Sequence, residues 1–437
     1  YPSILLTDAA SAGALCLRAK DDAALACAVA EHSLFAEPEV QRAAQEWDKR
    51  AAYRLPPLSG EAVRRLYGEK LYLSASRVDQ LASCRCAYFL RYGLRAKPRR
   101  QASFDAPLFG TLVHEVLENT AARAMDEGGF AAVRPERLRQ IAEQEMTETT
   151  ARQLGSLDGA DERFRYLFER NRREVRRIVD VLGREMAKSD FRPVRFEMAF
   201  ADGGELPPVS IGDDAEISGF VDRVDLFSSN GTLYVRVIDY KTGRKSFDYT
   251  DILSGIGLQM LIYLFTLCDL GETVFGCAPE PAGVLYVPAR EAIVPVGRRP
   301  DAEEADAAHA SERTRKGLVL DDESVVCAME RTDGTPEFLP LKRKKDGSLT
   351  GDLASREQFG LLKKFTMARL RACVDEIASG DVTPDPYTRG SAQGACAYCE
   401  FSQACHLDTY PNAVRRLAST DRALFWEKVE KEVGDDG

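Results

Sequence analysis

The sequence predicts an α/β fold, a mixed central sheet flanked by helices and carrying helical additions. Three observations carry that expectation. Ala215 to Phe227 and Leu233 to Tyr240 read as strands, and Asn230-Gly231 between them is a strong hairpin signal, so two central strands run antiparallel. Ahead of them, Pro107 to Met125, Pro135 to Leu154 and Asp161 to Lys188 show helical periodicity. After them, a helix from about Ile252 to Leu267 precedes the buried run Gly283-Val-Leu-Tyr-Val287, and a strand reached through such a crossover returns parallel.

The remaining elements follow in order. Residues 1 to about 70 read as a helical lead, with Ala-rich patterns at Ala23 to Ala30 and Glu39 to Ala52, ended by the turn Leu55-Pro-Pro-Leu-Ser-Gly60. Leu71 to Gly93 holds a short strand and a helix opened by Ser76, with Asp79 three residues on as a weakened capping box. Val194 to Phe200 is a strand. Residues 300–316 suggest a surface helix, and Leu318 to Lys344 short strands broken at Thr332-Asp-Gly-Thr-Pro. Arg356 to Ser379 is an amphipathic helix stopped by Gly380, with Pro384 and Pro386 beyond it. Asn412 to Val433 is a charged helical tail. No internal repeat is visible.

The 437 residues can bury two or three cores. A hydrophobic content of 44% and a charged content of 29% fit an ordinary globular chain. No apolar run reaches the roughly 18 residues of a membrane span. The start, Tyr1-Pro-Ser-Ile-Leu-Leu-Thr-Asp, has no basic n-region and no initiator Met, so the expectation is a fragment or processed form located in the cytoplasm. A net charge of −10 restricts nucleic-acid binding to local basic patches. The pattern Gly-x4-Gly-Lys-Ser/Thr is absent, so nothing in this chain cradles a nucleoside triphosphate.

Gly219-Phe-Val-Asp222-Arg-Val-Asp225 and Val237-Ile-Asp239-Tyr-Lys241-Thr-Gly243 carry the chemistry. Residues i and i+2 of a strand share a face, so Asp239 and Lys241 point together and Ile238 and Tyr240 point the other way. Two carboxylates beside one ammonium suit metal-dependent phosphodiester hydrolysis. The carboxylates hold a hard divalent cation, magnesium or manganese, and the lysine orients the water and offsets charge on the phosphate. Asp225, three residues past Asp222, takes the opposite face and reads as structural. Glu197, near the end of the preceding strand, is a candidate extra carboxylate. Gln259 and Tyr263, at i and i+4, share one helix face. His114 sits in a helix whose apolar set is Leu108, Leu112, Val113, Val116 and Leu117.

The order of histidine helix, Gly-x-x-Asp strand, Asp-x-Lys strand and Gln-x-x-x-Tyr helix resembles the RecB-like branch of the PD-(D/E)XK nucleases. The resemblance implies a DNA exonuclease in which His114, Asp222, Asp239 and the Tyr240 carbonyl hold the metal. Lys241 then positions the water, and Gln259 and Tyr263 orient the strand.

Eleven cysteines are many for a reducing compartment, and their spacing is not a disulfide scaffold. Cys16, Cys27, Cys268, Cys277, Cys327 and Cys373 read as scattered buried hydrophobes. The others form two clusters, Cys84-Arg-Cys86 and Cys396-x2-Cys399-x5-Cys405-His406. The second reads as soft-metal ligation lacking a fourth ligand. One upstream cysteine with a downstream Cys-x2-Cys-x5-Cys, bracketing such a nuclease, resembles the iron–sulfur staple of AddB-type subunits. That resemblance implies a [4Fe–4S] cluster on Cys84, Cys396, Cys399 and Cys405. Zinc on the same ligands, or with His406 or Cys86 as the fourth, is the other reading.

The AddB-type resemblance covers roughly residues 71 to 410, with a core at about 107–290 and an insertion at about 291–350. It implies that residues 1–70 end a helicase-like region. It also implies a partner A subunit carrying the motor, and double-strand-end processing for recombinational repair. Between Cys84 and Arg100 lie six basic residues and no acid. Arg91, Arg95 and Arg99, interleaved with Tyr88, Phe89 and Tyr92, together with Tyr263, are candidate contacts to a DNA single strand. Lys342-Arg-Lys-Lys345 reads as a solvated hairpin end. A stand-alone Cas4-like exonuclease and an inactive DNA-binding scaffold are the alternatives.

Overall fold

A computed structural model describes residues 56–97, 106–154, 162–241, 243, 247–289, 313–389, 394–407, 410 and 413–434. The Ala-rich patterns before residue 55, Cys16, Cys27, Arg99, most of the predicted 300–316 helix and the side chain of Leu108 lie outside the described part. The chain divides into two units, one holding residues 64–82, 97–378 and 417–437, the other 1–63, 83–96 and 379–416.

The larger unit begins with β1 (Leu71–Leu73) and α2 (Ala75–Ser83), preceded in the chain by α1 (Gly60–Tyr67). Ser74, not Ser76, caps α2: its Oγ accepts from the Arg77 amide at 3.4 Å and its carbonyl from Val78. Asp79 closes no capping box and instead accepts the Gly257 amide at 2.8 Å. In the other unit the chain then runs through α3 (Arg85–Tyr88) and a π-turn at Phe89–Gly93.

Three long helices follow, α4 (Ala106–Asp126), α5 (Pro135–Leu154) and α6 (Glu162–Ala187), close to the bounds the periodicity predicts. They lean on one another through apolar faces, with Leu112, Val113, Val116 and Leu117 of α4 and Ile141 and Val179 of its neighbours buried. Outside, Arg172 and Arg176 pair with Glu143, and Arg139 with Asp180.

Six strands make the central sheet: β2 (Arg192–Phe200), β5 (Gly219–Ser229), β6 (Thr232–Lys241), β7 (Glu280–Pro288), β8 (Lys316–Leu320) and β11 (Leu353–Ala354). Their spatial order is β11-β8-β7-β6-β5-β2. Between β2 and β5 the chain forms β3 (Val209–Ile211) and β4 (Ala215–Ile217), which leave this sheet and join β1 in a second one. Between β8 and β11 it forms a small hairpin of β9 (Leu341–Arg343) and β10 (Leu349–Gly351), the solvated hairpin expected at Lys342 to Lys345. The single strand predicted from Ala215 to Phe227 is therefore two strands in two sheets. β5 and β6 pair antiparallel around Asn230 and Gly231, whose φ values of 52° and 80° are what a tight hairpin demands. β6 and β7 pair parallel, as the crossover predicts. The last two strands of the central sheet come from beyond residue 290.

The predicted helix from Ile252 is broken into α7 (Tyr249–Leu253) and α8 (Gln259–Leu270). Gly255 and Gly257, both at positive φ, make the break, and it sets Gln259 in the first turn of α8. The segment expected to hold only strands contains a helix at Glu323–Met329, with the Asp322 side chain capping it through Ser324 and Val325. Arg356–Ala378 forms the predicted amphipathic helix, and the tail helix is confined to Arg422–Gly434. No helix among the described residues is long and apolar enough to cross a membrane.

On the face of β5 and β6 that packs against α6 lies a fully buried ionic network. Arg223, Asp225 and Arg236 are each 0 % exposed. Asp225 accepts from Arg223 Nε at 2.8 Å and Arg236 Nε at 2.9 Å, and Arg223 Nη1 donates to the Tyr240 hydroxyl at 2.6 Å. Asp225 stands directly opposite Arg236 in the strand register. The structural role expected for Asp225 is thus observed, with partners the sequence did not name.

Candidate active site

The alternation of β5 and β6 puts Asp222, Asp239 and Lys241 on the face away from that network. Asp222 Oδ2 accepts the Tyr240 amide at 2.9 Å and lies 3.4 Å from His114 Nδ1. His114 reaches it from α4, where its helix neighbours Val113 and Val116 are buried. Burial holds its imidazole below the ordinary value, leaving it neutral with a lone pair to donate. Donor atoms of His114, Glu197 and Asp222 all lie within 4.8 Å of one another. Glu197 is at a φ of 45° within β2, a conformation costly for a non-glycine residue.

The second half of the site is a continuous polar chain. Lys241 Nζ sits 2.7 Å from Asp239 Oδ2, donates to Oδ1 at 3.0 Å and reaches Gln259 Oε1 at 3.5 Å. Gln259 Nε2 donates to the Tyr263 hydroxyl at 3.1 Å. Tyr263 packs edge-on against Phe200. A Cβ on Gly219 would meet Phe200 at 2.7 Å and Tyr263 at 3.0 Å, so the glycine of Gly-x-x-Asp is required by this close approach. The Tyr240 side chain points away to Arg223, while its backbone touches both Asp222 and the His114 ring.

The donor set fits a divalent cation. Asp239 is 2 % exposed, and its Oδ2 makes no hydrogen bond of proper geometry despite the nearby ammonium. Burial raises the carboxyls of Asp222 and Asp239; the Glu197 charge adds to the rise at Asp222, and the Asp222 charge to that at Asp239. Glu118, one turn beyond His114 on α4, is pushed up to about 7 by burial and then by Glu197, Glu115 and Asp222. Sequence reasoning missed Glu118; the signal was its i, i+4 spacing from His114. The carboxylates outnumber the one ammonium, and a cation would relieve the excess.

A pH dependence follows. A carboxyl whose folded value exceeds its unfolded one costs stability as pH rises through the interval between them. For Glu118 that interval runs from 4.5 to about 7, and the aspartates act in the same direction. Calcium, which binds carboxylates without supporting magnesium-type chemistry, should therefore raise the melting temperature more at pH 7.5 than at pH 5.5. Equal increments at both values would show that these acids do not form a cation site.

In the smaller unit, Cys84 and Cys86 are buried with Ala87 and Phe401, and Cys399 and Cys405 pack against them. Cys396 is exposed and feels the charges of Cys399 and Cys405. The segments are held together by Arg85 on Asp381 and Asp385, by Arg415 on Asp385 and by Arg91 on Glu400. Arg91, expected to contact DNA, is thus engaged with Glu400 and lies over the Phe401 ring. Tyr88, 3 % exposed, is a core residue rather than a stacking platform, whereas Arg95 is exposed at a φ of 54°. Of the cysteines expected to be buried hydrophobes, Cys373 is buried, Cys268 and Cys327 are partly so, and Cys277 is exposed.

The model of the PD-(D/E)XK nuclease superfamily matches residues 72–406, a span that includes both polar groups and all five clustered cysteines. The chain belongs to that superfamily. This PD-(D/E)XK nuclease is also similar to curated proteins named as the B subunit of an ATP-dependent helicase/deoxyribonuclease. The protein from Caldanaerobacter subterraneus subsp. tengcongensis is 32% identical over 397 residues, 88% of this chain and 34% of its own length. Those from Acetivibrio thermocellus and Clostridium novyi are 32% and 30% identical, each over 86% of this chain. The chain spans about a third of the length of these relatives.

Proposed function

We propose that this chain is the nuclease region of the B subunit of a helicase–nuclease, cutting a DNA single strand by metal-assisted hydrolysis as an exonuclease. The observation that carries the reading is the unbroken chain Asp239–Lys241–Gln259–Tyr263 beside the His114–Glu197–Asp222 group. A bound magnesium or manganese ion would supply a phosphate clamp and an acidified water. Asp222, Asp239 and neutral His114 would hold it, with the Tyr240 carbonyl as a further ligand and Glu197 completing the acidic wall. Lys241 orients the water and offsets negative charge developing on the phosphate. Gln259, held between Lys241 and Tyr263, aligns the strand.

The names of the relatives support a complex in which an A subunit carries the motor and this chain trims strands at double-strand ends during recombinational repair in the cytoplasm. Cys84, Cys396, Cys399 and Cys405 would hold a [4Fe–4S] cluster, a reading supported by the packing of Cys399 and Cys405 against buried Cys84. A match over 86–88% of the chain favours this over a short Cas4-like enzyme. The intact Asp–Lys pair disfavours an inactive scaffold.

The purified protein should cut single-stranded DNA with magnesium and not with EDTA. His114→Ala should lose most magnesium activity and regain part of it at high manganese, which tolerates loss of a nitrogen ligand better. Cleavage resistant to EDTA would reject metal-assisted hydrolysis. Wild-type metal dependence in the variant would make His114 a core residue.

A further inference from the structure

The smaller unit offers five clustered thiols where a [4Fe–4S] cluster takes four. Cys86 is the surplus one. It is 6 % exposed, deeper than Cys84 at 8 %, and both pack on Phe401 in the group that Cys399 and Cys405 join. Arg85 between them is drawn away to Asp381 and Asp385, so the two cysteines flank an anchored residue and share one buried pocket. Cys84 sits at the N-cap of α3 in extended conformation, with backbone amides of Ala87, Asp385 and Cys86 turned to its sulfur. Such amides favour a thiolate. Cys86 lies in the first turn of α3, just ahead of the π-turn, and its thiol responds to Cys84, Cys405 and Cys399. Each upstream sulfur therefore has one half of what a ligand needs: donors to stabilise its charge, or proximity to the downstream thiols. Cys268, Cys277, Cys327 and Cys373 do not belong to this group.

We propose that Cys84 and Cys86 are alternative ligands for one iron of the cluster. Either binds as a thiolate, its proton passing to solvent, while the other stays a thiol beside it. This rests on the iron–sulfur reading above, and the wild-type measurement tests that reading separately.

The full chain, purified anaerobically, is assayed for iron, acid-labile sulfide and visible absorbance. Wild-type protein with stoichiometric zinc, or without metal, rejects the cluster and the proposal with it. With a cluster present, Cys84→Ser and Cys86→Ser should each keep iron within about twofold of wild type, and the double variant should lose at least tenfold. Loss in only one single variant makes that residue the sole upstream ligand and overturns the exchange. A second measurement needs no variant. Trypsin cuts after Arg85 and separates the two cysteines, so alkylation of the native holoprotein followed by mass spectrometry reads each one. Partial labelling of both is expected. Full protection of one with full labelling of the other overturns the proposal.

Discussion

Lys241→Ala should lower magnesium-dependent cleavage of single-stranded DNA by roughly 10²- to 10³-fold, the usual cost of removing one preorganised donor at developing charge. Among the described residues the ammonium is the one cation in direct contact with Asp239, and it also reaches the amide that carries the chain on to Tyr263. Alanine at this position leaves strand pairing with Pro288 untouched, so the fold should survive and the circular dichroism spectrum should not change. Asp239→Ala should reach a similar loss by a different route, weakening the cation as well. Cleavage by Lys241→Ala within tenfold of wild type would remove the lysine from the chemistry.

Asp225→Asn should destabilise the larger unit by about 3–5 kcal/mol, because it leaves two guanidinium groups buried without their counter-charge. The side chain is nearly the same shape, so the loss is electrostatic rather than steric. Arg223 would still hold the Tyr240 hydroxyl, but without the carboxylate that holds Arg223 in place. Urea unfolding should show a lower midpoint with an unchanged slope. Replacing Arg223, Asp225 and Arg236 together by apolar residues should recover most of the loss. A change below about 1 kcal/mol in Asp225→Asn would mean that Glu185 and water satisfy the arginines unaided.

The sequence made the active-site face legible because strand alternation is strict. Once Asp239 and Lys241 were placed on a strand, their shared face and the opposite placement of Tyr240 followed. Gln259 and Tyr263 were legible for the matching reason on a helix, yet the helix itself was drawn too long, since Gly255 and Gly257 break it through backbone conformation rather than through a change of pattern. The division of Ala215 to Phe227 into two sheets was not legible: each half looks like a strand, and only tertiary pairing with Leu71–Leu73 separates them. Arg91 looked like a nucleic-acid contact because its partner, Glu400, lies far away in the chain. Glu118 was overlooked because a half-buried acid on an apolar helix gives no sign of which carboxylates will gather around it.

The two central strands carry charge on both faces, and this links the histories of two regions that perform different tasks. Asp222 and Asp239 alternate along their strands with Arg223 and Arg236, so a shift of one position would exchange the acidic wall for the arginine pocket. An apolar core can drift one methyl group at a time. A buried triad of two cations and one anion cannot, because every intermediate step strands a charge. Among descendants of this sequence, Arg223, Asp225 and Arg236 should be inherited together or replaced together. A lineage that keeps its acids while losing part of the triad should be rare even where cleavage is no longer under selection.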